Sequence, residues 1–353
     1  MTKVIVGMSG GVDSAVAAYL LKQQGYDVVG VTLRMWEGEE NRCCEIDDAR
    51  RVAMKIGIPF YPLNCSEVFR DCVERPFVRE YLRGMTPNPC IECNRFVKWD
   101  RMLQAAKALH ADAIATGHYA SVEKLSNGRY TVRKALHTEK DQAYMLYKLT
   151  QEQLAATVMP LGGLTKEDVR RIAAEAGLPV ADKADSQEIC FVPDGHYSDY
   201  VAEHAETPVP GEGNFVDEDG KVLGRHKGIV HYTVGQRKGL GIALGHPAYV
   251  KEIRVDTDEV VIADETALYS RKMICRDVNF MSIPEPESGA TLRASVKVRY
   301  HHAGQNATLE MLPDGRVSVR FDEPVRAIAP GQSSVWYDEN DCVVGGGIIE
   351  SAE

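Results

Sequence analysis

An apolar run, a glycine-rich turn and a helix-forming segment follow one another at the beginning of this chain. The apolar run is Val4-Ile5-Val6, the turn spans residues 7–14, and the helix is expected to begin near Ala15. Glycines let a backbone adopt unusual dihedral angles and approach a ligand closely. Free N–H groups at a helix start favour an anion, and Asp13 or Ser14 is expected to cap that start. This segment therefore predicts a phosphate-binding loop.

The spacing within the turn excludes two common phosphate-binding motifs. A Walker A loop needs a lysine before its final Ser or Thr, and residues 7–14 contain none. The Gly-x-Gly-x-x-Gly spacing of dinucleotide-binding proteins is also absent. Residues 9–14 read Ser-Gly-Gly-Val-Asp-Ser and resemble the PP-loop of the ATP pyrophosphatases. That resemblance implies cleavage of ATP between its α- and β-phosphates, with transfer of AMP and release of pyrophosphate.

Length, charge and cysteine content restrict the class of protein. With 353 residues the chain can form two or three domains. Its net charge of −10 argues against a general nucleic-acid coat but leaves room for a local basic groove. No signal peptide or membrane-spanning stretch is recognisable. Nine cysteines in such a chain predict a reducing, cytoplasmic setting, in which cysteines are catalytic, metal-binding or buried.

Strand-like and helix-like segments alternate up to about residue 200. Strands are expected at 4–6, 27–33, 59–63 and 113–116, and helices at 47–56, 66–83, 94–109, 141–149, 151–158 and 165–177. This alternation predicts an α/β fold with a doubly wound parallel sheet. Ligands bind such sheets at the carboxyl ends of the strands, so the loops after Val6, Leu33 and Thr116 are expected to form one site. Short β-rich segments follow, and we predict domains at 1–206, 207–270 and 271–353, the last one barrel-like.

Two further segments place cysteines in loops. Residues 86–94 read Thr-Pro-Asn-Pro-Cys-Ile-Glu-Cys-Asn, and Cys93 is expected to lie just before a helix, where the pKa of a thiol is lowered. Residues 185–191 carry Cys190. We expect one cysteine to carry sulfur and the other to release it by disulfide exchange.

Two alternatives concern metals. A structural zinc site usually takes two Cys-x-x-Cys pairs, and the chain has one. The thiolates of Cys90, Cys93 and Cys190 could instead hold an iron–sulfur cluster with one open iron position. The remaining cysteines lack a motif and are expected to be buried or incidental: Cys43, Cys44, Cys65, Cys72, Cys275 and Cys342.

The three segments, in this order, resemble the bacterial tRNA-specific 2-thiouridylases of the MnmA type. The resemblance covers nearly the whole chain, at residues 7–14, 86–94, 115–120, 140–144, 185–191, 233–241, 330–333 and 345–348. It implies a PP-loop (adenine nucleotide alpha hydrolase-like) domain followed by two smaller β-rich domains. It also implies a cytoplasmic transferase that acts on the anticodon loop of tRNA.

The resemblance implies a mechanism as well. ATP binds with Mg²⁺, and the oxygen on carbon 2 of the wobble uridine attacks the α-phosphate. A persulfide on Cys190, loaded by a sulfur-relay partner protein, delivers sulfur to carbon 2. Cys93 acts as the nucleophile, and a Cys93–Cys190 disulfide forms as AMP leaves. The low-pKa thiolate expected above would supply the attack.

The implied site residues fall into three groups. Those with catalytic roles are Cys93, Cys190 and Asp13. Those that contact ATP are Gly7, Met8, Ser9, Gly10, Gly11, Val12, Asp13, Ser14, Leu33 and Gly117. Those that contact tRNA are Asn88, Pro89, Cys90, His118, Lys140, Asp141, Gln142, Arg299, Tyr300 and Gln332. Basic clusters at 225–227, 236–238 and 297–302 add to this expected phosphate-binding surface.

The chain departs from the family pattern at one position. Many members carry aspartate where this chain has Cys90. This leaves the role of Cys90 open and keeps a [4Fe-4S] cluster, with sulfide as the donor, as the second hypothesis. A different PP-loop adenylylating synthetase is the third; it would need neither the cysteine pair nor a C-terminal barrel.

Overall fold

The computed structural model describes residues 1–36, 45–184, 189–192 and 196–353. The strands of its N-terminal part are β1 (Lys3–Gly7), β2 (Asp27–Arg34), β3 (Phe60–Asn64), β4 (Ala113–Ala115), β5 (Ala120–Lys124), β6 (Tyr130–Lys134) and β7 (Thr157–Val158). Five of them form a parallel sheet with the order β3-β2-β1-β4-β7, while β5 and β6 pair as a separate hairpin. Strand order reverses beside β1, so the sheet has a topological switch point between β1 and β4.

Helices cover both faces of this sheet. They are α1 (Val12–Gln23), α2 (Ile46–Ile56), α3 (Ser66–Phe69), α4 (Arg75–Leu82), α5 (Pro89–Glu92), α6 (Asp100–Ala108), α7 (Gln151–Ala155), α8 (Lys166–Glu175) and α9 (Tyr197–His204). Successive residues of a strand face opposite sides. Val4 and Val6 accordingly pack with α1, α2 and α8, whereas Ile5 packs with α4 and α6 on the other face. The chain therefore buries two apolar layers, as a doubly wound sheet requires.

Two helical stretches contain a wide π-helical turn. Arg70–Glu74 joins α3 to α4, and Cys93–Trp99 joins α5 to α6. The predicted helix at 94–109 thus begins earlier, at Pro89, because proline is compatible with the first turn of a helix. Cys93 consequently lies inside a continuous helical stretch. π-turns are often found at functional sites.

Some local predictions were wrong. The helix expected at 141–149 is only a 3₁₀ turn at Ala143–Leu146. The helix expected at 151–158 ends at Ala155, and the next residues form the edge strand β7. The hairpin β5–β6 and helix α9 were not predicted. The hairpin packs on the C-terminal domain, where the Arg129 guanidinium donates to the carbonyls of Phe280 and Met281 at 3.0 Å each, so tertiary contacts determine its structure.

Two β-rich units complete the molecule. The strands of the middle unit are β8 (Gly213–Val216), β9 (Val222–His226), β10 (Tyr249–Arg254) and β11 (Glu259–Ala263), in the order β10-β11-β8-β9. The strands of the last unit are β12 (Tyr269–Phe280), β13 (Thr291–Lys297), β14 (Gln305–Met311), β15 (Val317–Arg326), β16 (Ser333–Tyr337) and β17 (Val343–Ala352). These six close into a barrel. The predicted fold class is confirmed, and the domain boundaries after residues 206 and 270 stay predictions.

Some sequence predictions concern residues that the structure does not describe. Cys43 and Cys44 lie outside the described residues, as do residues 185–188 of the third motif. Among the described helices, none combines the length and the apolar character that a membrane span requires.

Candidate active site

A cavity of about 190 Å³ lies at the carboxyl ends of the strands, at the switch point between β1 and β4. Its lining residues come from the end of β1 and the loop after it, from the first turn of α1, from β2 and the residue that follows it, from the loop after β4, and from α6 with the π-turn before it, and Gln142 completes the lining. They are Gly7, Met8, Ser9, Asp13, Ser14, Val31, Leu33, Met35, Lys98, Met102, Thr116, Gly117, His118 and Gln142. The three loops expected to converge therefore do so.

The PP-loop is held by close backbone contacts. Gly10 has φ +78°, and a Cβ there would lie 2.7 Å from the Glu45 carbonyl oxygen. The Ser14 hydroxyl accepts from the Ser9 amide and donates to the Gly11 carbonyl, both at 3.1 Å. The expected cap at Asp13 or Ser14 was wrong, because Gly11 occupies the N-cap position without a side-chain cap. Amide groups of the first turn are thus left for a ligand.

Gly117 brings the loop after β4 against the start of α1. A Cβ at this residue would lie 2.7 Å from the Asp13 carbonyl carbon and from the Ser14 amide nitrogen. Only glycine allows the two loops to approach this closely. Of the remaining residues predicted to contact ATP, Gly10, Gly11 and Val12 belong to the loop and the first turn of α1 but do not line the cavity.

Lysines from distant segments reach the PP-loop, although the loop itself contains none. Lys166, the first residue of α8, places its Nζ 2.7 Å from the Asp13 carboxylate, which also accepts from the Tyr119 hydroxyl at 2.7 Å. Lys183 donates to the Gly10 carbonyl at 3.1 Å and to Asp48 at 2.7 Å. Sequence reasoning missed both. The capping sequence around Thr165 predicts a helix start there, but nothing in the sequence indicates where the Lys166 side chain points.

Cys90 and Cys93 lie in a more protected environment than predicted. Cys93 is 6% exposed inside the π-turn, and burial raises its pKa to about 12, against an opposing effect of the Lys98 charge. Burial likewise raises the pKa of Cys90 to about 11. The expectation of a lowered Cys93 pKa was therefore wrong for this conformation. The thiol lies beyond the first turn of a continuous helical stretch and away from solvent, so desolvation outweighs the helix dipole.

Cys190 packs against the same apolar core as Cys93. Its neighbour Phe191 anchors the segment. The centroid of the Phe191 ring lies 5.3 Å from that of Phe69 and 5.2 Å from that of Phe77, both in edge-to-face geometry. Such aromatic pairs are stabilising beyond the area they bury. Cys90, Cys93 and Cys190 are not joined in disulfide bonds. The two cysteine segments therefore pack into the same apolar core.

The iron–sulfur alternative can be tested against the donor set. Within the described ranges, no three His, Cys, Asp or Glu side chains are arranged to hold a metal ion. Cys90, Cys93 and Cys190 as they lie here are therefore not a ready ligand set for a cluster, and we derive no step through one.

The residues predicted to contact tRNA fall in separate places. His118 and Gln142 line the cavity at the switch point. The His118 Nδ1 lies 2.8 Å from the Thr116 hydroxyl, and burial holds the pKa of this imidazole well below its ordinary value, so it is neutral. Asn88 and Pro89 line a second cavity of about 290 Å³ beside the barrel. Asn88 caps α5 through the Cys90 amide at 3.2 Å.

The other predicted tRNA contacts differ in exposure. Lys140 is exposed, whereas Asp141 is buried and accepts from the amides of Ala135 and Ala143 at 3.0 and 3.2 Å. Gln332 donates to the Thr86 carbonyl at 2.8 Å. Arg299 and Tyr300 follow β13 on the barrel, where Tyr300 lies edge-on to Tyr144 at 6.0 Å. All of them stay predictions as tRNA contacts, and Asp141 and Gln332 also have clear structural partners.

Comparison with known proteins gives matches along the whole chain. Residues 2–194 match a family model described as tRNA methyl transferase HUP domain. Residues 198–264 match a tRNA methyl transferase PRC-barrel domain, and residues 270–349 an aminomethyltransferase beta-barrel domain. A solved 4-thiouridine synthetase–RNA complex with bound ATP is 17% identical at a TM-score of 0.35, covering 54% of this chain and 45% of that one.

Curated relatives are much more similar. The protein named tRNA-specific 2-thiouridylase MnmA in Lachnoclostridium phytofermentans is 51% identical, with 99% of each chain covered. The protein of the same name in Clostridioides difficile strain 630 is 50% identical, with 99% of this chain and 98% of the relative covered. At this identity over the full length, and with the domain order of the matching models, the chain belongs to the tRNA-specific 2-thiouridylase family.

Proposed function

We propose that this protein uses ATP to replace the oxygen on carbon 2 of the wobble uridine of tRNA with sulfur, forming 2-thiouridine. Membership of the family supports the reaction class. The proposal rests on one helical stretch that carries residues of the cavity and also Cys93. Lys98 and Met102 line the nucleotide cavity, and Cys93 lies in the π-turn of the same stretch. An activated base held at this cavity would therefore be near the thiol.

The nucleotide half-reaction would take place on the PP-loop. Backbone amides at the start of α1 would bind the phosphates of ATP, and Lys166 would add positive charge beside them. Asp13 is the only carboxylate among the described residues that line the cavity. It would hold Mg²⁺ together with the phosphates, since this ion is usually bound by one or two carboxylates plus substrate phosphates. The ion would neutralise charge on those phosphates.

In this step the uridine O2 attacks the α-phosphate of ATP, a P–O bond to the β-phosphate breaks, and pyrophosphate leaves. The carbon 2 oxygen then becomes part of AMP, which is a good leaving group. The side chain of His118, which is neutral, lines the same cavity as Asp13 and Ser14. It is therefore suited to a hydrogen bond with the base or the nucleotide and not to an ion pair.

The sulfur half-reaction would use both cysteines. The terminal sulfur of a Cys190 persulfide attacks carbon 2, and the C–O bond to AMP breaks. Cys93 then loses its thiol proton to water, and its thiolate attacks the Cys190 sulfur, which releases the thiocarbonyl and leaves a Cys93–Cys190 disulfide. Two thiols are oxidised and the transferred sulfur is reduced, so an external thiol must reduce the disulfide before the next turnover. The persulfide itself would come from a sulfur-relay donor protein.

Nucleoside mass spectrometry of tRNA after an anaerobic reaction with ATP, Mg²⁺ and a persulfide donor tests the proposal. We expect 2-thiouridine with the wild-type protein. In Cys93→Ala and Cys190→Ala the yield of 2-thiouridine should fall by more than about 100-fold, because each variant removes a sulfur atom that forms a bond in the proposed steps. Cys72→Ala is the matched control, since this half-buried thiol lies in the same core without an assigned role. Product formed only with inorganic sulfide and iron would overturn the persulfide route. Pyrophosphate release without any thiolation would indicate another PP-loop reaction.

A further inference from the structure

A buried ammonium connects the cysteine helix to the C-terminal barrel. The Lys148 side chain is only 3% exposed, and its Nζ lies 2.5 Å from a carboxylate oxygen of Glu92 and 2.5 Å from one of Asp277. Burying a charge is costly unless the charge is paired. The buried charge of Lys148 therefore has a structural role, and Lys148 takes no part in the reaction steps proposed above.

Glu92 belongs to the cysteine motif itself. It lies between Cys90 and Cys93, ends α5 and directly precedes the π-turn. Its side chain is 24% exposed, and its bond to Lys148 fixes the helix at the residue before Cys93. A movement of Glu92 would shift the Cys93 thiol, because both belong to one continuous helical stretch.

Asp277 belongs to β12 of the barrel and has φ +50° at an irregular point of that strand. Burial would raise the pKa of its carboxyl, but the charges of Lys148, Arg95 and Arg276 outweigh burial and hold that pKa below its ordinary value. The carboxylate is therefore ionised at neutral pH. Asn279, two residues on, donates to the carbonyl of Tyr147 at 2.7 Å, so the barrel also holds the backbone next to Lys148.

The same barrel holds the loop in front of the cysteines. The backbone N–H of Thr86 donates to the Pro330 carbonyl at 2.8 Å. The side-chain amide of Gln332 donates to the Thr86 carbonyl, also at 2.8 Å. Arg276 also lies 3.2 Å from Glu80 at the end of α4. The barrel thus attaches the cysteine segment both before and after Cys90.

We propose that Lys148 is a positioning residue for sulfur transfer: it fixes the Cys93 turn against the barrel by pairing Glu92 with Asp277. The inference rests on the function proposed above and extends it. The PP-loop, Asp13 and Lys166, which would bind the phosphates, lie on other elements. ATP cleavage should therefore depend on this triad much less than the delivery of sulfur to the activated base does.

The variants Glu92→Gln and Asp277→Asn test the proposal, since each keeps the size of the side chain and removes one charge. For each we measure pyrophosphate release and 2-thiouridine formed in the same tRNA reaction. We expect pyrophosphate release within twofold of wild type and about tenfold less 2-thiouridine per pyrophosphate, because small misplacements of a reacting group lower rates strongly. Hydrogen–deuterium exchange of residues 89–99 should become faster, while exchange in α1 stays unchanged. Lys148→Met should show a larger effect of the same kind.

Glu152→Gln is the matched control. Its partner Lys107 lies on α6, at the end of the same helical stretch, and the Lys107 Nζ is 3.2 Å from the Glu152 carboxylate. Both side chains are about three-quarters exposed, so this ion pair contributes little to stability. A wild-type ratio of thiolation to pyrophosphate in both carboxamide variants would overturn the proposal. So would an equal loss of both half-reactions, which indicates a global effect. If the wild-type protein forms no 2-thiouridine, the proposed function fails. The hydrogen–deuterium exchange of residues 89–99 then tests the positioning role by itself, and exchange in the variants equal to that of wild type overturns this role.

Discussion

The Nζ of Lys166 lies 2.7 Å from the carboxylate of Asp13, although 153 residues separate them in the sequence. A PP-loop differs from a Walker A loop in lacking its own lysine. Here α8 supplies an ammonium to the PP-loop from outside the loop. The Tyr119 hydroxyl binds the same carboxylate oxygen, so three segments of the domain meet at the start of α1.

Replacing Lys166 should weaken the nucleotide half-reaction. For Lys166→Met we expect the KM for ATP in pyrophosphate release to rise about tenfold, because a charge-assisted contact contributes about 1.5–3 kcal/mol. Lys166→Arg should recover part of this loss. Lys55→Met, an exposed lysine on α2, is the control. An unchanged KM in Lys166→Met would mean that the lysine only supports the loop.

A methyl group at Gly117 should block the approach of the two loops. Gly117→Ala would place a carbon 2.7 Å from backbone atoms of Asp13 and Ser14, which cannot move independently of α1. We expect a loss of about 1–3 kcal/mol in the free energy of unfolding, typical of overpacking, together with impaired ATP binding. Urea denaturation and equilibrium dialysis with ATP measure the two effects. Gly163→Ala has nothing within 4 Å and should be neutral; equal behaviour of the two variants would contradict the geometry.

The reactivity of Cys93 should follow its raised pKa. At pH 8 a thiol with a pKa of about 12 has roughly a thousandth of the thiolate of one with the ordinary value of 9.0. Alkylation of Cys93 by iodoacetamide in the folded protein without substrates should therefore be slow. In the folded protein the alkylation rate should keep rising as the pH increases past 9. In urea-unfolded protein the rate should level off near pH 9. Peptide mass spectrometry follows the reaction, and a plateau near pH 7 in the folded protein would contradict the burial effect.

Gly331 should be needed to hold the cysteine loop. It has φ +90°, and a Cβ there would lie 2.6 Å from the Thr86 amide. Gly331→Ala should cost about 1–3 kcal/mol more in unfolding free energy than Gly315→Ala. Gly315 has a similar φ of +82° in open space, so the comparison cancels the backbone strain. The Gly331 variant should also form less 2-thiouridine while it still releases pyrophosphate. Loss of both activities would mean that the substitution disturbs the whole domain and not only the cysteine loop.

The sequence predicts the sheet and the cavity well because local pattern and motif agree there. Residues 7–14 lie between a buried strand and a helix, and parallel topology then brings Leu33 and Gly117 to the same edge. Short elements were predicted poorly. Strand β7 has two residues and exists through its pairing with β4, which no local pattern encodes.

The cysteine environment shows the same limit of local reasoning. Pro89 suggests an extended loop by sequence, yet it begins a helix, and this moves Cys93 from an expected helix start into a buried π-turn. Lys148 had no motif around it, and only the structure pairs it with Glu92 and Asp277. Contacts between residues far apart in the chain determine ionisation here, and these contacts follow from the tertiary fold.

The hydrogen bond from Gln332 to Thr86 joins residues 246 positions apart. Ribosomes add about 5–20 residues per second, so roughly 12 to 50 s separate the synthesis of these two partners. A nascent chain can therefore complete the cavity at the switch point well before Gln332 is available to hold Thr86. Under the proposed function, the coupling of ATP cleavage to sulfur delivery would arrive with the last strands to leave the ribosome.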